Sequence, residues 1–412
     1  MRNLALLIMV FFTISMAASA TNSGKEDRLR QKAARIHAKA FTIDSHNDTP
    51  MWFIDSTYDF GLNHANVRPR NRVDLPRMEA GGLDAAFFAV FIGQGERTPE
   101  GNQKALKQAL ETFEAIHKNV AFYSDKAAIA LSTEDGPAIA RQNKRAIYIG
   151  IENGYPIGND LSNIERFHQM GARYITLCHS NNNDICDSAN DTIEHNGVSD
   201  FGKKVISEMN RLGMMVDVSH ISDKSFYDVL KLSKAPVIAS HSCARALCDN
   251  PRNLNDDMLR ALAANDGVIQ MCILSSYVKT PLPNPPRDSA RKAVRAKYRG
   301  YSGLSDEEMH NARREWYKLD EDFPEKLATV QDVVDHIDHI VKVAGIRHVG
   351  IGTDFDGGGA VEGCEDVSEM GNITLELVRR GYSAKQIKMI WGGNLMRVMR
   401  KVEALSRGNH QA

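Results

Sequence analysis

Eight short apolar segments recur along the chain, and most are separated by a stretch long enough for a helix. They are Phe41–Asp48, Leu83–Ile92, Ala146–Asn153, Tyr174–His179, Met214–His220, Val237–His241, Gly267–Ile273 and His348–Asp354. Their β-branched and aromatic content and their length suit strands. Amphipathic patterns over Asn102–Asn119, Asn163–Met170, Val198–Leu212, Ser222–Leu232, Asp256–Asn265 and Val330–Ala344 suit helices between them. Strand-then-helix units in this number predict an α/β fold, a parallel (β/α)8 barrel of the TIM type. The alternative is a doubly wound open sheet. It is disfavoured because no glycine-rich phosphate loop follows the first strand.

One stretch breaks the rhythm. Lys279–Asp322 follows the seventh strand, opens Pro281-Leu282-Pro283-Asn284-Pro285-Pro286 and becomes charged and helix-prone. It reads either as a solvated excursion or as a lid, because an insertion after a barrel strand emerges at the face where barrel active sites lie. A last helix over Ser383–Ala404 reads as packing, with Ile387, Ile390, Leu395 and Val398 on its buried side. No repeat or flexible linker is visible, so residues 21–412 read as a single domain.

The first twenty residues read as something else. Arg2 precedes an apolar run from Leu4 to Ala18, then Ala18-Ser19-Ala20 and polar residues follow. That is the pattern of a secretory signal peptide cleaved near Ala20. The run is short of the ~20 residues needed to span a bilayer. The expectation is an exported chain, periplasmic or secreted, with no transmembrane anchor. Export makes disulfides chemically accessible, and the sequence does not choose among pairings of Cys178, Cys186, Cys243, Cys248, Cys272 and Cys364. Lys and Arg total 51 against 52 Asp and Glu. That balance gives no basic excess for nucleic acid.

Polar residues collect where apolar strands should end in turn chemistry. His46 and Asp48 close the first strand, Glu152 the third, His179 the fourth, His220 the fifth, His241 the sixth and Asp354 the eighth. A lone histidine in such a place is usually a satisfied structural residue. Together they are different, because a barrel brings strand ends to within roughly 10 Å of one centre. Buried charge of that density needs compensation, and divalent metal is the simplest. His46, Asp48, Glu152, His220 and His241 are too many ligands for one catalytic zinc with an open position. They suit two metals sharing Glu152, with a water between them. His336 and His339 lie three apart on a helix whose apolar neighbours already explain it as core packing. Neither a Gly-x-Ser-x-Gly nor a His-Glu-x-x-His pattern occurs, so serine and zincin chemistries lack support.

The segments Asp44-Ser45-His46-Asn47-Asp48, Gly150-Ile151-Glu152-Asn153-Gly154 and Thr176-Leu177-Cys178-His179-Ser180 resemble the membrane (renal) dipeptidase family. So do Met215-Val216-Asp217-Val218-Ser219-His220, Ala235-Pro236-Val237-Ile238-Ala239-Ser240-His241, Pro251-Arg252-Asn253-Leu254 and Gly352-Thr353-Asp354-Phe355-Asp356-Gly357. That family consists of zinc peptidases on amidohydrolase-type barrels. The resemblance runs in order from about Phe41 to Val402. It implies two Zn²⁺ per chain, one on His46 and Asp48, the other on His220 and His241, bridged by Glu152. It implies substrate binding by His179 and Arg252 and an acid/base role for Asp354, with Asp356 the lesser choice. Dipeptides are the implied substrates and a homodimer the implied assembly. The insertion over 279–322 is longer than in the animal enzymes of the family, and no hydrophobic tail for a lipid anchor follows the last helix. The competing reading is a related metal-dependent amidohydrolase acting on N-acyl amino acids or cyclic amides.

Overall fold

The computed structural model describes residues 24–54, 58–67, 71–299 and 304–409. The signal-peptide stretch expected over residues 1–20 lies outside them. Nine parallel strands form one sheet: β1 (Ile43–Asn47), β2 (Ala85–Phe91), β3 (Ala127–Ile129), β4 (Arg145–Glu152), β5 (Ala172–Thr176), β6 (Met215–Asp217), β7 (Ile238–Ser242), β8 (Val268–Met271) and β9 (Val349–Ile351). Eight of them run in the order β1-β2-β4-β5-β6-β7-β8-β9, and β3 pairs only with β4, off that path. Asn47 bridges Phe355 in parallel, which brings the two ends of the order together. The (β/α)8 expectation holds, with the barrel nearly closed.

Alternation along the strands builds two cores. In β2, Ala85 and Phe87 join an inner cluster with Ala146 and Tyr148 of β4 and Tyr174 of β5. Ala86, Phe88 and Val90, with Ile147, Ile149 and Ile151, join the outer cluster beneath the helices. Side chains two apart on a strand share a face, so Gly150 and Glu152 continue the inward row of β4. Leu395, Met396, Met399 and Val402 of the terminal helix complete the inner cluster.

Helices begin where the side chains supply caps. Thr98 accepts the Gly101 N–H ahead of Pro99–Phe122, and Ser199 accepts that of Gly202 ahead of Asp200–Leu212. Thr329 and Asp332 form a reciprocal capping box on Val330–Ala344. The expected terminal helix is interrupted: Ala384–Lys388 passes through a π turn, Met389–Gly393, before Asn394–Asn409. The turn carries Trp391, fully buried, whose Nε1–H donates to Thr374 Oγ1 at 2.7 Å.

Strand limits differ from the expected ones in a consistent direction. β6 and β9 have three residues each, and β5 stops at Thr176. Asp48, His179, His220 and Asp354 therefore stand beyond strand ends rather than on them. The expected insertion follows β8, the seventh strand of the barrel, and folds into helices Pro285–Lys297 and Asp306–Asp322 around a small cluster of Tyr298, Leu304 and Ala312. Tyr317 from it stacks on Trp52 at 5.6 Å and donates its hydroxyl to the Asp356 carbonyl. All six cysteines are free and buried.

Gly150 is where the inner core is tightest. A Cβ there would fall 2.1 Å from the ring of Tyr174. That ring is buried and its hydroxyl is bonded to His46 Nδ1 at 2.8 Å, so it has no free direction of retreat. Gly150→Ala is expected to cost about 1–3 kcal/mol of stability. The urea midpoint should fall at unchanged slope.

Candidate metal centre

The seven polar residues expected at the strand ends do converge, with Glu152 at the centre. Its Oε2 lies 3.5 Å from His46 Nε2. Its Oε1 lies 3.0 Å from His220 Nε2, 3.4 Å from His241 Nε2 and 3.7 Å from His179 Nε2. His46 Nε2 is also 3.5 Å from Asp48 Oδ2. Among the described residues, three groups have ligand atoms all within 4.8 Å of one another: His46, Glu152 and His241; Glu152, His179 and His220; His46, Asp48 and Asp354.

Irregular backbone, not simple alternation, aims several of these groups. The register of β1 shifts between Asp44 and Asn47, and that of β7 between Ala239 and Ser242. His46 and His241 stand at those two shifts, as bulged residues often do beside active sites. His220 and Asp354 adopt left-handed φ of 71° and 60°. Such backbone costs a non-glycine residue about 1–3 kcal/mol and collects at functional sites. The seam of the barrel passes through the same residues. Asp354 N–H donates to the His46 carbonyl at 2.9 Å, and Asp48 N–H to that of Phe355 at 2.8 Å.

Burial sets the electrostatics. It acts to raise Glu152, but His46, His179 and His220 outweigh it and hold the carboxyl well below its usual range. Burial acts to lower His46, and Tyr174, Glu152 and Asp48 outweigh it, so that imidazole sits well above. His220 and His241 are pushed well below by burial, with Arg252 adding to the push on both. Burial, Cys272 and Asp48 push Asp354 well above.

A cation fits this donor set. His46 Nε2 and Asp48 Oδ1 are buried with no hydrogen-bond partner, an arrangement native interiors avoid unless something else satisfies the atoms. The Nε2 atoms of His220 and His241 meet at 2.8 Å in front of one carboxylate oxygen. Imidazole nitrogens and carboxylate oxygens suit zinc and similar divalent metals.

The other expected residues have separable places. Arg252 is buried at the same mouth, its Nη2 donating to the His241 carbonyl at 3.2 Å and its guanidinium 5.3 Å from the Tyr277 ring centre. Asp356 is held elsewhere, accepting from the Thr49 hydroxyl at 2.9 Å and the Arg72 N–H at 2.7 Å. His336 is structural, as its helix suggested: Nδ1 accepts the Ala244 N–H at 3.1 Å and Nε2 meets the Val278 carbonyl at 2.8 Å.

Sequence reasoning missed the groups behind the histidines. Asp217 accepts the N–H groups of Ser219 at 3.0 Å and Ser240 at 2.8 Å, and the hydroxyls of Thr176 and Ser240, the latter at 2.6 Å. The Ser240 hydroxyl has one hydrogen and spends it on Asp217. Its lone pair then accepts Nδ1–H of His241, 2.8 Å away, which leaves the Nε2 lone pair facing Glu152. A buried Asp inside an apolar strand was the available signal.

Comparison with known proteins gives the family. Residues 30–412 match the model of the membrane dipeptidase family, peptidase family M19. The chain belongs to that family. It is 33% identical over 369 residues to the dipeptidase tcpJ of Claviceps purpurea, covering 87% of this chain and 76% of that one. It is 32% identical over 390 residues to the dipeptidase verJ of Clonostachys rogersoniana, covering 91% and 87%. The crystal structure of the probable dipeptidase PvdM from Pseudomonas aeruginosa superposes with a TM-score of 0.78 at 30% identity, over 92% of this chain and 99% of that one. Family membership and the ligand clusters together make this chain a metal-dependent dipeptidase. Among the described residues no helix is long and apolar enough to cross a membrane.

Ser240→Ala removes the hydroxyl that orients His241. Loss of such a partner typically weakens metal binding by about 10–100-fold. Chelator competition should show that loss in Ser240→Ala and recovery in Ser240→Thr.

Proposed function

We propose that the chain is an exported binuclear zinc dipeptidase. The observation that carries the reading is the division of Glu152: one oxygen faces His46, the other faces His220 and His241. A carboxylate so placed can serve two cations at once. His46 and Asp48 would hold one zinc, His220 and His241 the other, with Glu152 shared. When bound, the pair supplies Lewis acidity and makes a water acidic enough to ionise near neutral pH.

The chain's own residues supply the rest. Arg252 is a buried guanidinium with no carboxylate partner among the described residues, and its Nε lacks any hydrogen-bond partner. A buried unpaired cation is costly, and the free carboxylate of a dipeptide answers it through a bidentate fork. That contact restricts cleavage to substrates whose carboxylate lies one residue past the scissile bond. His179 is the most open histidine of the group, with 26% of its side chain exposed, and it can donate to the carbonyl oxygen as negative charge develops there. Asp354 takes a proton from the attacking water on a carboxylate oxygen and returns it to the leaving amine. Burial first, and then the neighbouring Cys272 and Asp48, favour the protonated form that the second half of this cycle needs.

Four measurements test the reading. Metal analysis with a substrate panel should give two zincs per chain and cleavage of dipeptides but not of a tripeptide or an N-acetyl amino acid. Cleavage of the N-acetyl compound would move the substrate class to the competing amidohydrolase reading, and less than one metal per chain with no activity on added zinc would remove the binuclear site. Glu152→Gln should weaken both metals together, and a variant that keeps two tight zincs would contradict the shared ligand. Arg252→Met should lower kcat/KM on dipeptides by about 30-fold or more, the lower end of the ~2–5 kcal/mol typical of a broken buried charge pair. Export is checked by the mass of the mature N-terminus, expected at Thr21.

A further inference from the structure

Away from the barrel mouth, the helix over residues 24–37 and the turn that ends it carry Arg28, Lys32, Arg35 and Lys39. These positions are i, i+4, i+7 and i+11, a single stripe on a helical surface. Lys388 faces them from helix Ala384–Lys388, and the five cations line a groove of about 530 Å³ floored by Ile36. A second hollow of about 420 Å³, lined by Lys385 and Lys388, adjoins it. We infer that this groove is a binding site for a ligand carrying two or more phosphate groups.

The charge in the groove is unanswered. Among the described residues none of the five cations has a carboxylate within ion-pair distance, although cations nearby do. Arg30, on another face of the same helix, pairs with Glu26 at 3.0 Å, and Glu26 also meets Arg379. Arg380 pairs with Asp335 and Asp338, and Arg397 with Asp266. Asp27, next to Arg28 in sequence, lies about 100° round the helix from it. Like charges four residues apart repel along the stripe, and the chain as a whole carries a formal charge of only −1. The excess is local, and a multivalent anion relieves it.

Phosphate fits better than a lone carboxylate. Each phosphate group brings up to two negative charges and three acceptor oxygens. Arg28 and Arg35 can take them bidentately, while the lysines add point charge on flexible stems. The volume lies within the range of small-molecule pockets and exceeds what one phosphate fills. The same chemistry occurs in a soluble oligophosphate and in the headgroups of anionic phospholipid. None of these residues touches Glu152 or its partners, so the site stands apart from the dipeptidase reading.

The test uses the full chain. Calorimetric titration with sodium tripolyphosphate at low salt should give a Kd below about 1 mM, weakening as salt rises. Co-sedimentation with phosphatidylglycerol vesicles, set against phosphatidylcholine vesicles, tests the headgroup source. The variant carrying Arg28→Gln, Lys32→Gln, Arg35→Gln and Lys39→Gln should lose about tenfold or more in affinity for whichever ligand binds, with dipeptide cleavage unchanged. Lys388→Gln, from the facing helix, should weaken the same binding and serves if the fourfold variant does not fold. Binding of tripolyphosphate alone assigns a soluble anion, and binding of phosphatidylglycerol vesicles alone assigns a membrane headgroup. Binding of neither, or equal binding by the variants, overturns the site.

Discussion

Glu152 sits at the end of a barrel strand with four imidazoles, carried on or just beyond four other strands, within 3.7 Å of its oxygens, and burial alone would drive its proton back on. It stays a carboxylate only because positive or polarisable groups reach it from around the whole barrel. The histidines in turn need it. His220 and His241 are deprived of charge by the same burial, and their facing Nε2 atoms both lie against Glu152 Oε1. The site is thus a set of mutual obligations among β1, β4, β5, β6 and β7, and a defect in any one of these strands is felt by the others. Gly150 shows how far this reaches. A missing side chain in β4 leaves room for Tyr174 in β5, whose hydroxyl fixes His46 in β1.

Much of this was legible in the sequence, for identifiable reasons. Strands such as β2 and β4 read as continuous apolar runs, buried on both faces, so Glu152 stood out as the charged residue that closes one of them. His46, Asp48, His220 and His241 stood out because charged or imidazole groups closed otherwise apolar runs. What was not legible depended on backbone without periodicity. The three-residue strand β3 carries too few positions to show a pattern, and no strand was expected there. The left-handed φ values of His220 and Asp354 occur at residue types that reach that region more readily than most, but nothing in the sequence singles out these two, and the register shifts at His46 and His241 are properties of paired strands. Pairing through Asp217, Ser240 and Thr176 joins residues from three strands, which a single sequence does not place side by side. Asp354 and Asp356, two residues apart in sequence, likewise part company only in the fold: one lies with His46 and Asp48, and the other accepts from Thr49 and Arg72.

The insertion after β8 is where sequence offered two readings, and the structure ties it to the barrel without making it part of the core. Its small cluster of Tyr298, Leu304 and Ala312 is separate from both main cores. It reaches the barrel mouth mainly through aromatic contact, Tyr317 on Trp52 and Trp52 on Tyr58 at 6.3 Å. Trp52 follows Asp48 by one helical turn. An arrangement of that kind can vary between relatives while the ligand set beneath it stays fixed, which is how barrel enzymes commonly change substrates on one scaffold.

The seam between β1 and the segment after β9 has a consequence for how the chain assembles. Thr353 hydrogen-bonds Asp44 across a sequence separation of 309 residues, and His46, Asp48, Asp354 and Phe355 meet beside them. Contacts that span so much chain form late, because the loop they close is long. A nascent chain emerging from its N-terminus therefore carries His46 and Asp48 for most of its synthesis with nothing to complete them. The trio of His46, Asp48 and Asp354 comes together only in the finished barrel, so the first residues of the site to be made are among the last to find their partners.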